Sequence, residues 1–142
     1  MIATGILLVE DDEHDALLTR RALARTSAEI VRARDGVEAL ALLHASDPTV
    51  RVTPRVVLLD LKLPKVDGFE VLRRVRADER TRLLPVVVLT SSSEDRDVDA
   101  CYGLGANSYV AKPIEFQRFA DAVGMLGLYW LDTNAPPPRG HA

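Results

Sequence analysis

The chain has 142 residues, 47% of them hydrophobic and 27% charged, which suits one ordinary domain with a real core and excludes wholesale disorder and fibrous repeats. Lys and Arg number 18 against 21 Asp and Glu, a formal charge of −3, so no basic field points to nucleic acid or anionic lipid as a partner. The single cysteine, Cys101, excludes an internal disulfide, and no apolar run nears the roughly 20 residues of a membrane span, so the expectation is an unprocessed cytoplasmic protein.

The first apolar run, GILLV from Gly5 to Val9, is short, continuous and too β-branched for an amphipathic helix. It reads as a strand buried on both faces. A helical stretch follows from Glu13 to Arg25, then an alternating strand from Glu29 to Arg34 and a second helix from Gly36 to Ala45. Ser46 to Pro54 holds two prolines and no periodicity, so a loop is expected there. RVVLL (Arg55 to Leu59) and PVVVL (Pro85 to Leu89) repeat the buried-strand signature, and between them Phe69, Leu72 and Val75 mark the inner face of a third helix. A fourth helix spans Asp95 to Leu104, and a fifth strand covers Asn107 to Ala111. The last helix carries Phe116, Phe119, Ala120, Val123, Gly127 and Trp130 at helical spacing. Five β/α alternations in so short a chain predict an α/β fold with a doubly wound parallel sheet. The domain is expected to end at residue 131, leaving Asp132 to Ala142 as a proline-rich tail without fixed structure of its own.

In such a sheet, ligands bind at the carboxyl ends of the strands. Here those ends carry Glu10, Asp11 and Asp12, then Asp60, then Thr90 with Ser91 to Ser93, then Lys112. Asp12 suits a helix cap, and Thr90 with its serines equally suits capping of the fourth helix. Capping does not account for the whole convergence. Two carboxylates 4 Å apart repel by about 4 kcal/mol at an effective dielectric near 20, so three in one crevice need a cation. Oxygen-only ligands favour Mg²⁺ shared with a phosphoryl group, and an aspartate such as Asp60 can attack phosphorus to give an acyl phosphate. Magnesium and Lys112 would neutralise the phosphoryl oxygens, with the Thr90 hydroxyl donating to one.

The motifs ILLVEDD, VVLLDLKLPKVDG, VVVLTSSS and LGANSYVAKP, in that order from Ile6 to Leu128, resemble the response-regulator receiver domain of two-component signalling. The resemblance implies a five-stranded sheet in the order 2-1-3-4-5 and a phosphoacceptor rather than an enzyme. By the same resemblance Asp60 accepts the phosphoryl group and Glu10 and Asp11 form the acidic pair. Asp11, Asp60 and the main-chain carbonyl of Lys62 ligate the metal, with Glu10 acting through water. Thr90 is the switch hydroxyl with Ser91 beside it, Tyr109 the aromatic switch, and Lys112 the phosphate-binding lysine. Pro113 follows Lys112 through a cis peptide, Gly68 makes the tight turn after Asp60, and Lys62 and Ser92 tune loss of the acyl phosphate.

The loop from Ser46 and the continuation past the fifth helix resemble stand-alone regulators of bacteriophytochrome histidine kinases, which implies such a kinase as partner and an unidentified downstream protein. A single apolar helical stripe does not bury Leu128, Tyr129, Trp130 and Leu131 together, so these four are the expected interface of a symmetric homodimer. A phosphate-sink or relay role shares the same active site and stays open. An aspartate-nucleophile phosphohydrolase is disfavoured, because it needs an acid two residues after the nucleophile, where Lys62 stands.

Overall fold

The computed structural model describes residues 1–138. Five strands and five helices alternate: β1 (Ile2–Val9), α1 (Glu13–Ala22), β2 (Ile30–Ala33), α2 (Gly36–Leu43), β3 (Val52–Leu59), α3 (Gly68–Ala77), β4 (Val86–Thr90), α4 (Asp95–Gly103), β5 (Ser108–Ala111) and α5 (Phe116–Leu128). The last helix runs on as a π-helical turn over Tyr129–Thr133. All strand pairs are parallel, as the β/α alternation predicts, and the order is β2-β1-β3-β4-β5, as the family resemblance implies.

The two-residue period of the strands divides the core into two layers. Leu7, Val9, Val57, Leu59 and Val88 face one way and pack with Leu40 and Leu43 of α2, Val71, Leu72 and Val75 of α3, and Cys101 of α4. Ile6, Leu8, Val56, Leu58 and Val87 face the other way and meet Ala16 of α1 and Phe119 and Val123 of α5. Each such buried Leu or Val contributes about 1.5–3 kcal/mol, which is why these three strands read as continuous apolar runs. Asp12, Asp35 and Asp67 start α1, α2 and α3 by accepting from the backbone N–H three residues on, at 2.8, 2.7 and 2.9 Å. Each cap is worth about 1 kcal/mol. No serine caps α4, whose first flanking residue is Glu94.

Two expectations are corrected. The third strand begins at Val52, inside the stretch expected to be loop, with Val52, Thr53 and Pro54 paired to Ile2, Ala3 and Thr4. Strand β4 pairs with β3 only from Val57, so Pro54 lies where the sheet has a neighbour on one side alone, a position that tolerates proline. The apolar end of α5 is also divided. The π-helical turn brings Leu131 back onto the core at 8% exposure, with Trp130 packed beside it, while Leu128 and Tyr129 stay 57% and 49% exposed. Among the described residues no helix is long and apolar enough to cross a membrane.

Candidate phosphoacceptor site

The carboxyl ends are pinned in pairs by backbone bonds at the ends of the ladders, β1 to β3 by Asp60 N–H to the Val9 carbonyl at 3.1 Å and β4 to β5 by Lys112 N–H to the Thr90 carbonyl at 2.6 Å. Glu10, Asp11 and Asp60 each bring a carboxylate oxygen within 4.8 Å of the other two. Glu10 and Asp60 are buried at 2% and 8% exposure, and Asp11 faces solvent. Asp60 Oδ1 accepts from the Thr90 hydroxyl at 3.0 Å and from the Lys62 N–H at 3.2 Å, and its Oδ2 accepts from Lys112 Nζ at 3.0 Å. Lys112 Nζ also donates to Glu10 Oε1 at 2.5 Å and to Asp15 Oδ2 at 2.9 Å.

Burial pushes the Glu10 carboxyl above the usual carboxylate range despite the ammonium beside it. For Lys112, burial works against the charge, but the hydrogen bonds to Glu10 and Asp15 and the field of Asp60 outweigh it and keep the ammonium charged. The site is a partly desolvated acidic pocket with one internal cation and an oxygen-only donor set open on the Asp11 side. Such a set fits a hard divalent cation.

Gly68 belongs to the site because of close approach. Its N–H closes the turn onto the Leu61 carbonyl at 2.9 Å, and a Cβ there would run into the Asp60 carbonyl oxygen. The loop between them is tied to α2 by the Lys65–Asp35 ion pair at 3.4 Å. The Tyr109 hydroxyl donates to the Ser92 carbonyl at 2.8 Å, which anchors the loop before α4. Ser92 itself bonds Asp97 at 2.5 Å, and Ser91 and the Lys62 side chain lie exposed at the rim. The Lys112–Pro113 peptide is trans, contrary to expectation. Trans is the intrinsically favoured form by about 0.5–1 kcal/mol, and with it Lys112 already reaches three carboxylates. Leu128 ends α5 and Tyr129 to Leu131 lie in the turn that follows it, at the end of the helix away from the site, and they take no part in it.

Residues 6–124 match the family model described as response regulator receiver domain. The chain belongs to that family. Among its receiver relatives is a probable methanogenesis regulatory protein, FilR2 of Methanothrix harundinacea, 45% identical over 93% of this chain and 86% of that protein. The Mn²⁺-bound form of response regulator Rcp1, a protein known from Synechocystis, superposes with a TM-score of 0.87 at 35% identity, covering 95% of this chain and 99% of that one. The phosphorylated cyanobacterial phytochrome response regulator RcpA gives 0.89 at 36% identity over 96% and 99% of the two chains. Bacteriophytochrome response regulator RtBRR is 50% identical over 97% of this chain and 86% of that one, with a TM-score of 0.71. The protein is thus a receiver-domain response regulator related to phytochrome regulators, rather than a conventional enzyme.

Two residues of this receiver site escape a reading of the sequence. Asp15 looks like an ordinary first-turn helix acid, yet it is the third carboxylate on Lys112. Arg32, on the alternating strand β2, donates from Nε and Nη2 to the Glu10 carbonyl at 3.0 and 2.9 Å and from Nη1 to Glu13 at 2.9 Å. With a side chain only 10% exposed, it fixes the main chain at the point where Asp11 leaves the strand. Arg32→Met is therefore expected to weaken divalent-cation binding about tenfold, the usual cost of losing a group that orients a ligand. Calorimetric titration with Mn²⁺ measures this, and an unchanged affinity would mean that the acidic loop holds its own shape.

Proposed function

We propose that this chain is the phosphoacceptor of a two-component system, taking a phosphoryl group from the phosphohistidine of a sensor kinase onto Asp60. An Asp60 carboxylate oxygen attacks phosphorus, the P–N bond breaks, and the histidine nitrogen recovers a proton. The observation that carries this reading is the environment of one side chain. Asp60 is buried beside two further acids and is held at both oxygens by donors from Thr90, Lys62 and Lys112. Glu10, Asp11, Asp60 and the Lys62 carbonyl suit Mg²⁺, which supplies charge neutralisation at the phosphoryl oxygens when bound. Lys112 and Thr90 supply the remaining positive charge and a hydrogen-bond donor, with Ser91 at the rim. The 50% identity to a bacteriophytochrome response regulator supports a phytochrome-type kinase as donor, and in this reading the exchange takes place in the cytoplasm.

Phosphorylation adds about −1.5 to −2 charges at Asp60. Drawing Thr90 and Lys112 toward the new oxygens strains the loop that Tyr109 anchors at Ser92, and that loop carries the change to α4 and to a downstream protein. Lys62 and Ser92 flank the route by which water reaches the acyl phosphate and set its lifetime.

The experiment is intact mass after incubation with acetyl phosphate and Mg²⁺. One labile phosphoryl adduct, suppressed by EDTA, is expected. No adduct under any divalent cation would leave a protein-binding module in place of a phosphoacceptor.

A symmetric homodimer also fits the chain, now through Leu128 and Tyr129 with Met125, since Leu131 and Trp130 turn inward. The groove beside them is lined by Arg21 and Arg25 from the α1 side and by Asp121 and Asp132 from the α5 side, so a two-fold axis running along the groove sets opposite charges face to face. Sedimentation velocity of Leu128→Glu is expected to give a monomer where the wild type dimerises. A variant that still dimerises removes this face from the interface.

A further inference from the structure

The Lys112 ammonium has three N–H donors, and each is spent on a different carboxylate: Glu10 at 2.5 Å, Asp15 at 2.9 Å and Asp60 at 3.0 Å. A phosphoryl group arriving on Asp60 brings three strong acceptor oxygens but finds no free donor on this lysine. One partner must give way. Glu10, with a side chain 3% exposed, is closed to bulk solvent, and Asp60 is the reacting group itself. The Asp15 carboxylate is 33% exposed, and solvent can take over its hydrogen bond at little cost. Its position is nevertheless well fixed, because it sits in the first turn of α1 and its N–H is capped by Asp12 at 2.8 Å.

We propose that Asp15 is a positioning residue that acts through Lys112, holding the ammonium back in the resting state and yielding it to the phosphoryl group. The inference rests on the phosphoacceptor reading of Asp60 and adds a rate-setting element to it. Asp15 lowers the rate at which the resting protein is phosphorylated, because its contact must break before Lys112 can neutralise the developing charge. It has little effect on hydrolysis of the acyl phosphate, where water attacks phosphorus, the bond to Asp60 breaks, and inorganic phosphate and a proton leave. In that state the Asp15 contact is already open in both the ground and transition states, so it does not alter their difference. Release of Asp15 also moves the first turn of α1, giving phosphorylation a route to that helix separate from Tyr109.

Asp15→Asn tests this, because the amide keeps the shape and surrenders most of the attraction. The expected result is phosphorylation by acetyl phosphate about fivefold faster than wild type, the factor that corresponds to a partly exposed ion pair. The half-life of the adduct should stay within about twofold on the same scale. Asp12→Asn is the control. It removes a neighbouring exposed charge without touching Lys112 and keeps a good helix cap, so it reports how far charge alone helps an anionic donor to approach. A binding readout accompanies the rates: beryllofluoride, a phosphoryl mimic, should bind Asp15→Asn more tightly and should shift the amide signals of Asp15 and Ala16 in the wild type. Equal acceleration in the two variants, or amides of α1 that do not respond to beryllofluoride, would overturn the proposal while leaving Asp60 as the acceptor. A wild type that takes no label and binds no beryllofluoride would overturn the phosphoacceptor reading, and this inference with it.

Discussion

Asparagine in place of Asp60 is expected to abolish the phosphoryl adduct completely while leaving the fold standing. The amide oxygen is not nucleophilic enough to attack phosphorus, and no second carboxylate is placed to substitute for it. Glu10 is tied to Lys112, and Asp11 stands at the solvent side of the cluster. The Thr90 hydroxyl and the Lys62 N–H still find an acceptor in the asparagine oxygen. The electrostatic terms nearly cancel. At the 4.8 Å limit of the cluster each of the other two carboxylates repels Asp60 by about 3.5 kcal/mol at an effective dielectric of 20, and the ammonium 3.0 Å away attracts it by about 5.5 kcal/mol. Removing the charge therefore changes stability by about 1–2 kcal/mol, and urea unfolding in EDTA should show a midpoint shift of about 1 M or less with a full cooperative transition retained. Intact mass after acetyl phosphate treatment gives the chemical result. An adduct on the variant equal to that on the wild type would place the acceptor elsewhere and remove the mechanism.

The general plan of this site was legible because it rests on strand ends. An apolar β-branched run that stops at an acid, a threonine or a lysine says both where a central strand lies and what it presents at its carboxyl edge, so Glu10, Asp11, Asp60, Thr90 and Lys112 could be named together. What escaped is whatever depends on contacts made across the topology. Arg32 meets the Glu10 carbonyl from 22 residues away, and Asp15 meets Lys112 from 97. Neither residue type is unusual at its position, and only the sheet order brings the pairs together. The start of β3 escaped for a related reason, since Pro54 reads as a breaker unless the neighbouring edge is known to be open. The division of the α5 terminus turned on a π-helical turn, which shifts the exposed face by less than a residue per turn and leaves no mark in an apolar run.

Lys112→Met is expected to be the most destabilising change among the charged residues of the site. Its methylenes are replaced at nearly constant volume, so the loss is of charge and hydrogen bonds rather than of packing. Without the ammonium, the Glu10 and Asp60 carboxylates, with side chains 3% and 10% exposed, face each other and Asp15 with no cation among them. Removing one partner of a buried ion pair strands the other, and the cost here is about 3 kcal/mol. That is a large share of the 5–15 kcal/mol or so that holds a domain of this size together. The deficit should be greatest in EDTA and should shrink as Mg²⁺ or Mn²⁺ is added, because a divalent cation at Glu10, Asp11 and Asp60 supplies the neutralising charge from the other side. Phosphorylation should not recover with it. The cation rescues the ground state, but the phosphoryl oxygens still lack the lysine, and loss of such a preorganised donor slows the reaction by about a hundredfold. Urea unfolding with and without metal, set beside phosphorylation rates at saturating metal, separates the two roles. Wild-type stability in EDTA would mean that water reaches the carboxylates and that Lys112 is not their internal counter-charge. Full recovery of phosphorylation with metal would show that its role in the site is structural alone.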